Sequence, residues 1–339
     1  MTASMLHVRV AAKTPLAEGI SAFELVPTDS AELPPFTAGA HIDVLLPGGL
    51  TRQYSLANDP AERHRYLIAV LRESASRGGS VTMHDKVKVG EALTISTPRN
   101  HFPLVGTAKR HLLLAGGIGI TPILAMAETL GARRARGAQG AQGAQGAQVG
   151  QGADFELHYA TRTLARTAFL ERLRAAPWAD RVHLHLDDGP VPQRLDLPAL
   201  LGRPQADTHL YVCGPRGFMD AALGEARAAG WPEAQLHWEF FAGDAPIAAG
   251  DGSFEVQLAK SGRVVLVPAD RTVAQALEAA GISVPTSCEQ GVCGTCITRV
   301  LEGVPDHRDL YFTPEEQAAN DQFTPCCSRA KTPRLVIDL

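Results

Sequence analysis

The sequence predicts a multidomain protein that combines all-β and α/β architecture. Short strands between turn signals fill residues 1–105, which favours a small antiparallel β-barrel. From residue 106 to 241, apolar strand runs alternate with helical stretches, which favours a parallel α/β domain. A small α+β domain that holds five of the six cysteines is predicted at 253–339. The 339 residues suffice for three separate cores.

Composition excludes several classes of function. The formal net charge is -4 and the pI is about 6.3, so nucleic-acid binding has no electrostatic support. Residues 1–9 contain no apolar signal segment. The most apolar run, 112–127, is shorter than the roughly 20 residues of a membrane span. We therefore expect a cytoplasmic protein that does not bind membranes.

The barrel prediction depends on alternation and turns. Ile42, Val44 and Leu46 alternate with other residues, and a Pro-Gly-Gly turn follows. Further strands are predicted at 52–56 and 66–71. These short segments lack helical periodicity, so an antiparallel barrel accounts for them best.

The α/β domain begins with a buried strand at 111–115 that ends in a glycine-rich turn. A helix is predicted over 123–130, with Thr121 as N-cap, Pro122 at the first helical position and Gly131 as the stop. Another helical stretch is predicted at 168–175. Further strands are predicted at 155–160, 182–186 and 209–213.

Two segments should not contribute to a core. Gly-Ala-Gln is repeated four times over 137–148, and we predict a flexible surface insertion over 137–152. A linker is predicted at 242–252, which is rich in Gly, Ala and Pro. The last domain then has strands at 254–258, 264–267 and 335–339, and a helix that starts with a capping box at Thr272 and Gln275 and ends before Gly281.

The cysteines are the most specific signal in the chain. Cys288, Cys293, Cys296 and Cys326 follow the spacing C-x4-C-x2-C and then a long gap, which is typical of a plant-type 2Fe-2S cluster. A zinc site usually has two short cysteine pairs, and only Cys293 and Cys296 form one here. A disulfide framework is unnecessary in a chain of this length.

Two further motifs indicate phosphate binding. The first combines Arg52-Gln-Tyr54-Ser55 with Arg77-Gly78-Gly79-Ser80, because an arginine and exposed glycine N–H groups can hold a phosphate. The second is the turn at 116–122, where a helix N-terminus favours a pyrophosphate. Each also has an ordinary interpretation, as a surface loop or as a tight βα turn without a ligand.

In this order the elements resemble the phthalate dioxygenase reductase family, the class IA reductases of Rieske oxygenases. The likeness covers nearly the whole chain through R-x-Y-S, R-G-G-S, G-G-I-G-I-T-P, Cys213-Gly214-Pro215, Glu239-Phe240-Phe241 and the block 287–339. That last block is most similar to the reductases of vanillate-demethylating systems. The resemblance implies an FMN-binding barrel, an NADH-binding α/β domain and a plant-type ferredoxin domain of β-grasp fold.

The resemblance also implies roles for individual residues. The catalytic positions would be Ser55, Thr121, Cys213 and Phe241. FMN would contact Arg52, Tyr54, Ser55, Ala69, Val70, Leu71, Arg77, Gly78, Gly79, Ser80 and Phe241. NADH would contact Gly116, Gly117, Gly119, Thr121, Cys213, Gly214 and Pro215. The iron ligands would be Cys288, Cys293, Cys296 and Cys326, while Cys327 would be a buried apolar residue.

The implied function is a monomeric, NADH-dependent reductase that passes electrons from NADH through FMN and the 2Fe-2S cluster to a Rieske-type terminal oxygenase. The flavin is needed because NADH gives two electrons and the cluster takes one. The oxygenase would act on an aromatic carboxylate such as vanillate; phthalate-like acids and quaternary amines are alternatives. With 11 acidic against 8 basic residues, segment 253–339 would be either its docking face or an ordinary solvated surface.

Three other interpretations stay open. An FAD-type NAD(P)H reductase of a diiron monooxygenase has similar modules, a redox sensor would need only the cluster, and a zinc-binding interaction module would be colourless. The preference for NADH over NADPH also rests on the resemblance. Arg162 follows strand 155–160 and would favour a 2'-phosphate, and no acid occupies the end of that strand.

Overall fold

The computed structural model describes residues 5–29, 32–47, 50–73, 78–141, 154–241, 251–286, 291, 294–309 and 311–339, with side chains left out of account at 137–141. The chain divides into two compact units, Met1–Phe241 and Ala242–Leu339. None of the helices in these described ranges has the length and hydropathy to cross a bilayer.

A six-stranded sheet forms the first part of the larger unit. Its strands are β1 (Met5–Ala17), β2 (Ile20–Pro27), β3 (His41–Leu45), β4 (Thr51–Ser55), β5 (Tyr66–Leu71) and β6 (Ala92–Ser96). They lie in the order β4-β3-β6-β1-β2-β5, and every neighbouring pair is antiparallel. The two end strands, β4 and β5, contact each other, which curves the sheet into the predicted barrel. Val10, Phe23, Ile42 and Tyr66 belong to its buried interior. Helix α1 (Gly79–Asp85) contacts β5.

A five-stranded parallel sheet forms the second part of this unit. Its strands are β7 (Arg110–Gly116), β8 (Asp154–Thr161), β9 (Val182–Leu186), β10 (Thr208–Gly214) and β11 (Leu236–Phe240), in the order β11-β10-β7-β8-β9. All four pairings are parallel, which confirms the predicted α/β class. The helices are α2 (Ile120–Ala141), α3 (Leu170–Ala175), α4 (Leu197–Leu201) and α5 (Arg216–Ala228).

Helix α2 is longer than predicted at both ends. It follows a 3-10 turn over Gly117–Gly119 and starts at Ile120, so Thr121 lies inside the helix and is not its N-cap. Pro122 is tolerated there because the first N–H groups of any helix have no intrahelical partner. At the other end, Gly131 does not stop the helix. A Cβ on Gly131 would lie 2.2 Å from Trp178 Cδ1, so glycine lets the indole pack against the helix backbone.

The helix also extends into the Gly-Ala-Gln repeat. Its backbone is helical through Ala141, so the prediction of a loop beginning at residue 137 was wrong for the first repeat units. Alanine and glutamine are good helix formers, and an established helix absorbs a glycine at a cost of about 1 kcal/mol. The rest of the predicted insertion, 142–152, lies outside the described residues.

The barrel and the parallel sheet share one hydrophobic cluster. Ala57 and Ala69 from the barrel lie in the same cluster as Leu113, Ile120 and Cys213 from the α/β part. The Tyr211 hydroxyl also accepts a hydrogen bond of 2.8 Å from the Val105 backbone N–H. The predicted boundary between 105 and 106 therefore runs through one continuous core, and the two parts form a single unit.

The smaller unit has a mixed sheet with one helix against it. Its strands are β12 (Phe254–Leu258), β13 (Val264–Val267), β14 (Thr298–Glu302), β15 (Pro305–Asp306), β16 (Gln322–Phe323), β17 (Arg329–Ala330) and β18 (Arg334–Ile337). The sheet order is β13-β12-β18-β14-β16, with β15 and β17 paired separately. Helix α6 (Val273–Ala279) has the predicted capping box, and α7 (Pro314–Ala319) follows the cysteine loop in sequence.

The predicted linker ends in an anchored segment. Both terminal nitrogens of Arg308 donate to the Asp251 carboxylate, at 2.8 and 2.5 Å. Arg329 donates to the Gly252 carbonyl at 3.0 Å. Residues 251–252 therefore belong to the smaller unit, whereas 242–250 lie outside the described residues.

Candidate functional site

The predicted flavin residues converge on one side of the barrel. Strand β4 carries Arg52, Tyr54 and Ser55, and β5 carries Ala69, Val70 and Leu71. Strand β5 contacts β4, α1 and the 3-10 turn Gly117–Gly119, so elements distant in sequence meet around it. Burial raises the pKa of the Tyr54 hydroxyl, which therefore stays neutral.

The glycines at the start of α1 lie directly beside Arg52. A Cβ on Gly79 would lie 2.7 Å from Arg52 Cγ, so any larger residue would displace the arginine side chain. Gly78 has a φ of 90°, a backbone conformation that favours glycine. Ser80 Oγ accepts from the Glu73 N–H at 3.1 Å. The fourth member of the motif, Arg77, lies outside the described residues.

The turn after β7 touches the end of β10. A Cβ on Gly119 would lie 2.2 Å from the Cys213 carbonyl oxygen, which only glycine avoids. This approach places the 3-10 turn against Cys213 and Gly214, and the preceding Gly116 lies against Pro215. Gly117 has a φ of 53°, and a Cβ there would meet no atom of the described chain within 4 Å. The turn thus offers open backbone at Gly117 and close packing at Gly119.

Three other predicted residues have different surroundings. Thr121 is buried, and its hydroxyl donates to the Ile118 carbonyl at 3.2 Å, so it secures the turn. Phe241 packs against the shared core from the end of β11. Arg162 is exposed just after β8.

Two acids lie beside Arg162 that the sequence argument did not place there. The Asp188 N–H donates to the Arg162 carbonyl at 3.1 Å, and the Asp187 N–H donates to the Thr161 carbonyl at 3.0 Å. Both acids directly follow β9, the neighbour of β8 in the sheet. The prediction that no acid occupies the end of β8 is unchanged, because both acids follow the neighbouring strand.

Glu239 is a candidate site residue that sequence reasoning missed as a functional group. Its Oε2 accepts from the Ser55 hydroxyl at 3.2 Å, and its Oε1 lies 3.8 Å from His41 Nδ1. Burial raises the pKa of this carboxyl to about 8, although the Ser55 hydrogen bond lowers it. Burial also raises the pKa of the Cys213 thiol, and the nearby Glu239 adds to that effect. At neutral pH both groups are therefore neutral. The sequence feature that could have identified Glu239 is its position in the Glu239-Phe240-Phe241 motif.

The smaller unit brings two of the predicted iron ligands together. Cys296 Sγ and Cys326 Sγ are 3.2 Å apart, and both residues are buried. Cys288 and Cys293 lie outside the described residues. Gly291, from the same loop, comes so close to Cys327 that a Cβ would lie 2.4 Å from its sulfur. Two converging thiols beside a tight glycine loop fit a thiolate-held cluster.

Cys327 is buried, but its surroundings are polar. Its sulfur lies 3.1 Å from the Thr324 hydroxyl and 3.8 Å from the Ser328 hydroxyl. The Cys326 hydrogen bond, followed by those of the two hydroxyls, lowers the pKa of the Cys327 thiol despite burial. The prediction that Cys327 is buried is confirmed, and two hydroxyl groups are among its neighbours.

Comparison with known proteins finds relatives of the whole chain and a family model for part of the smaller unit. Residues 256–331 match the model of a 2Fe-2S iron-sulfur cluster binding domain. The whole chain is 52% identical over 335 residues to a vanillate O-demethylase oxidoreductase of Pseudomonas sp. (strain HR199 / DSM 7063), covering 99% of this chain and 100% of the relative. It is 39% identical to the phthalate dioxygenase reductase of Burkholderia cepacia, covering 98% and 97% of the two chains. The chain belongs to the phthalate dioxygenase reductase family.

A solved structure agrees with this membership. A phthalate dioxygenase reductase, described as a modular structure for electron transfer from pyridine nucleotides to a 2Fe-2S centre, matches with a TM-score of 0.74 and 38% identity over 99% of this chain and 98% of the other. The family's fold binds FMN and NADH, and its members are oxidoreductases that serve as electron-transfer components of oxygenase systems. The predicted fold class, the reductase function, the flavin and the 2Fe-2S cluster are thereby confirmed.

Proposed function

We propose that this chain is the NADH-dependent reductase of a two-component Rieske oxygenase system. The observation that carries the proposal is the meeting of Ser55, Cys213 and Glu239, which joins the flavin strand β4 to the turn beside the predicted nicotinamide site. When bound, NADH supplies a hydride, FMN takes its two electrons, and the 2Fe-2S cluster passes them on singly.

Within this site, the residues of the barrel hold and orient the flavin. Arg52, lying over Gly79, supplies a positive charge toward a terminal phosphate. Ser55 places its hydroxyl where β4 meets the α/β part and keeps it oriented through its hydrogen bond to Glu239. The backbone of Ala69, Val70 and Leu71 would line the flavin along β5, and Phe241, next to the end of β11, would pack against it.

The α/β part positions the pyridine nucleotide. The open backbone at Gly117, beside the start of α2, suits a pyrophosphate. Gly116 and Gly119 of the same turn lie against Cys213-Gly214-Pro215, which would lie beside the nicotinamide. Asp187 and Asp188 give the strand edge next to Arg162 a negative charge, which suits a ribose hydroxyl better than a 2'-phosphate. This geometry supports NADH over NADPH.

The smaller unit supplies the exit for electrons. We assign Cys288, Cys293, Cys296 and Cys326 as the iron ligands, because the described pair converges to 3.2 Å and the spacing of all four suits a plant-type cluster. Such a cluster has a potential of roughly -400 mV, low enough to reduce a Rieske centre at about -150 mV or above. A Rieske-type oxygenase is therefore a suitable acceptor.

Vanillate is the first candidate for the substrate of that oxygenase. Three relatives named vanillate O-demethylase oxidoreductase are 45% to 53% identical to this chain. Relatives named for phthalate 4,5-dioxygenase and for carnitine monooxygenase are 41% and 42% identical, so a phthalate-like acid and a quaternary amine are the second candidates. We further propose a monomer located in the cytoplasm.

The test combines the purified reductase with a Rieske oxygenase from the same organism. NADH should support consumption of vanillate, with NADPH much slower, whereas phthalate and carnitine should be consumed slowly or not at all. If phthalate or carnitine were consumed instead of vanillate, the chain would be assigned to the oxygenase system that acts on that compound. Coupling only to a diiron monooxygenase, together with release of FAD, would overturn the proposal.

A further inference from the structure

Four metal-ligating side chains lie together on one face of the parallel sheet, apart from the site described above. Glu156 and His158 alternate along β8, and His183 and His185 alternate along β9. His158 pairs with His183 in the register, and Ala160 pairs with His185. Because alternate residues of a strand point to the same side, all four side chains project from the same face. Strand β9 is the last strand of the sheet on that side.

The polar atoms of this cluster are close enough to share a cation. Ligand atoms of Glu156, His158 and His183 all lie within 4.8 Å of one another. His158 Nε2 lies 3.6 Å from Glu156 Oε2. Two ligands bound to zinc at about 2.0–2.1 Å in tetrahedral geometry are about 3.3 Å apart. The rings of His158 and His183 are stacked, with centroids 4.6 Å apart and an interplanar angle of 18°, so the exposed His183 ring would have to rotate to direct a nitrogen at the same ion.

Hydrogen bonding prepares His158 for this role. Its Nδ1 lies 3.0 Å from His185 Nε2, and its side chain is only 10% exposed. Its Nε2 is buried without a hydrogen-bond partner among the described residues. When Nδ1–H donates to His185, Nε2 directs a lone pair toward Glu156. The buried ring nitrogen and the partly exposed carboxylate are then two acceptors that face each other, and a cation between them satisfies both. A second-shell hydrogen bond to the other ring nitrogen is typical of histidine ligands.

We propose that Glu156, His158 and His183 bind a divalent transition-metal ion of the zinc class, with His185 as the orienting partner of His158. Arg110 Nη2 lies 3.1 Å from Glu156 Oε1, so it holds the carboxylate while Oε2 stays directed at His158. The ion would tie the edge strand β9 to β8. Its role is structural, because it joins two adjacent strands and leaves the hydride-transfer residues untouched.

The protonation state of the imidazole agrees with this geometry. Burial, followed by the neighbouring His183 and His185, lowers the pKa of His158 to about 4. Burial also lowers the pKa of His185. Both rings are therefore neutral at pH 7, the form in which imidazole binds metals.

The experiment is equilibrium dialysis of the holoprotein against chelator-buffered zinc, with zinc and iron measured per chain by mass spectrometry. We expect about one zinc ion per chain in addition to the roughly two irons of the cluster. Glu156→Gln and His183→Asn should weaken zinc binding more than about tenfold. Both positions are partly or fully exposed, so the variants should fold.

His209→Asn is the matched control. His209 and His237 form a similar stacked pair, with ring nitrogens 2.8 Å apart, but they are not part of the metal-ligand group among the described residues. This variant should bind zinc like the wild type. Zinc should also raise the unfolding temperature of the wild type and the control, but not of His183→Asn. Binding that is unchanged in both cluster variants, or that occurs only when iron is lost, would overturn the proposal.

Discussion

At the scale of single residues, Glu239 shows how burial changes the chemistry of a carboxyl group. In water this group ionises near pH 4.5, but in the protein its pKa is about 8. The folded protein therefore keeps a proton on Glu239 across a pH range in which the unfolded chain has lost it. Since the unfolded state binds fewer protons there, this residue lowers the free energy of unfolding as pH rises from about 4.5 to about 8.

We predict that Glu239→Gln abolishes a pH dependence in the reduction of the bound flavin by NADH. In the wild type, the rate should fall as pH rises past about 8, because the newly formed carboxylate opposes the negative charge that reduction brings to this site. Glutamine can still accept from Ser55, so the variant should bind flavin normally. Anaerobic stopped-flow measurements between pH 6 and 9.5 would check this. An unchanged profile in the variant would assign the titration to another group.

The two adjacent cysteines should respond differently to substitution. Cys326→Ser should lose the visible spectrum of the 2Fe-2S cluster, because its thiol converges on Cys296 at 3.2 Å. Cys327→Ser should keep that spectrum, since its sulfur lies among the hydroxyls of Thr324 and Ser328. Absorbance and electron paramagnetic resonance of the reduced variants would distinguish them. The opposite pattern would make Cys327 the fourth ligand.

At the scale of elements, helix α2 differs from the helix that local sequence rules predicted. Capping residues and glycine predicted a helix of 123–130, whereas the helix covers Ile120–Ala141. A glycine ends a helix mainly when the chain adopts a left-handed conformation there. Gly131 instead keeps helical backbone, and Trp178 occupies the space that a side chain there would fill. The reason for this glycine is thus a tertiary contact that the local sequence does not reveal.

Two helical glycines allow a matched test of this explanation. Gly131→Ala should destabilise the protein by about 1–3 kcal/mol, because its Cβ would meet Trp178 at 2.2 Å. Gly224→Ala, inside α5, should stabilise it by up to about 1 kcal/mol, because a Cβ there meets no described atom within 4 Å. Urea unfolding of both variants would measure the difference. If both were stabilised, the indole would have moved at little cost, and the packing explanation would fail.

At the scale of the whole molecule, the chain consists of two units with their own cores. The larger unit joins the barrel and the parallel sheet through a shared hydrophobic cluster, and the smaller unit has a separate cluster around Val256 and Leu335. Separate cores permit independent folding. The barrel and the α/β part, predicted as two domains, should not fold separately, because cutting the chain at residue 105 would expose the hydrophobic cluster that they share.

We predict that a protein ending near Gly250 keeps the first half of the electron path. NADH should still reduce its flavin, and ferricyanide should still be consumed, because β4, the 3-10 turn and Phe241 all remain. Transfer to the oxygenase should be lost, because the cysteines lie beyond the cut. Heat-released flavin should have the mass of FMN. Oxygenase turnover at the full-length rate would show that electrons do not need the cluster to leave.

Features that depend on near neighbours along the chain could be predicted from the sequence. Apolar runs and alternating apolar residues predicted the strands, with β5, β9 and β13 at the same residues as in the structure. The capping box predicted the start of α6. Cysteine spacing and the order of the motifs predicted the cluster and the family. These signals act over a few residues, where backbone geometry and hydrogen bonding are decided locally.

Contacts between groups that are distant in sequence could be identified only from the tertiary structure. Ser55 and Glu239 are 184 positions apart, and their hydrogen bond exists because β4 and β11 meet where the barrel joins the parallel sheet. The pKa of Glu239, the acids beside Arg162 and the cluster of Glu156, His158 and His183 likewise depend on strands that are neighbours in space. Burial and electrostatic interaction depend on distance through space, and a local sequence pattern does not contain that distance.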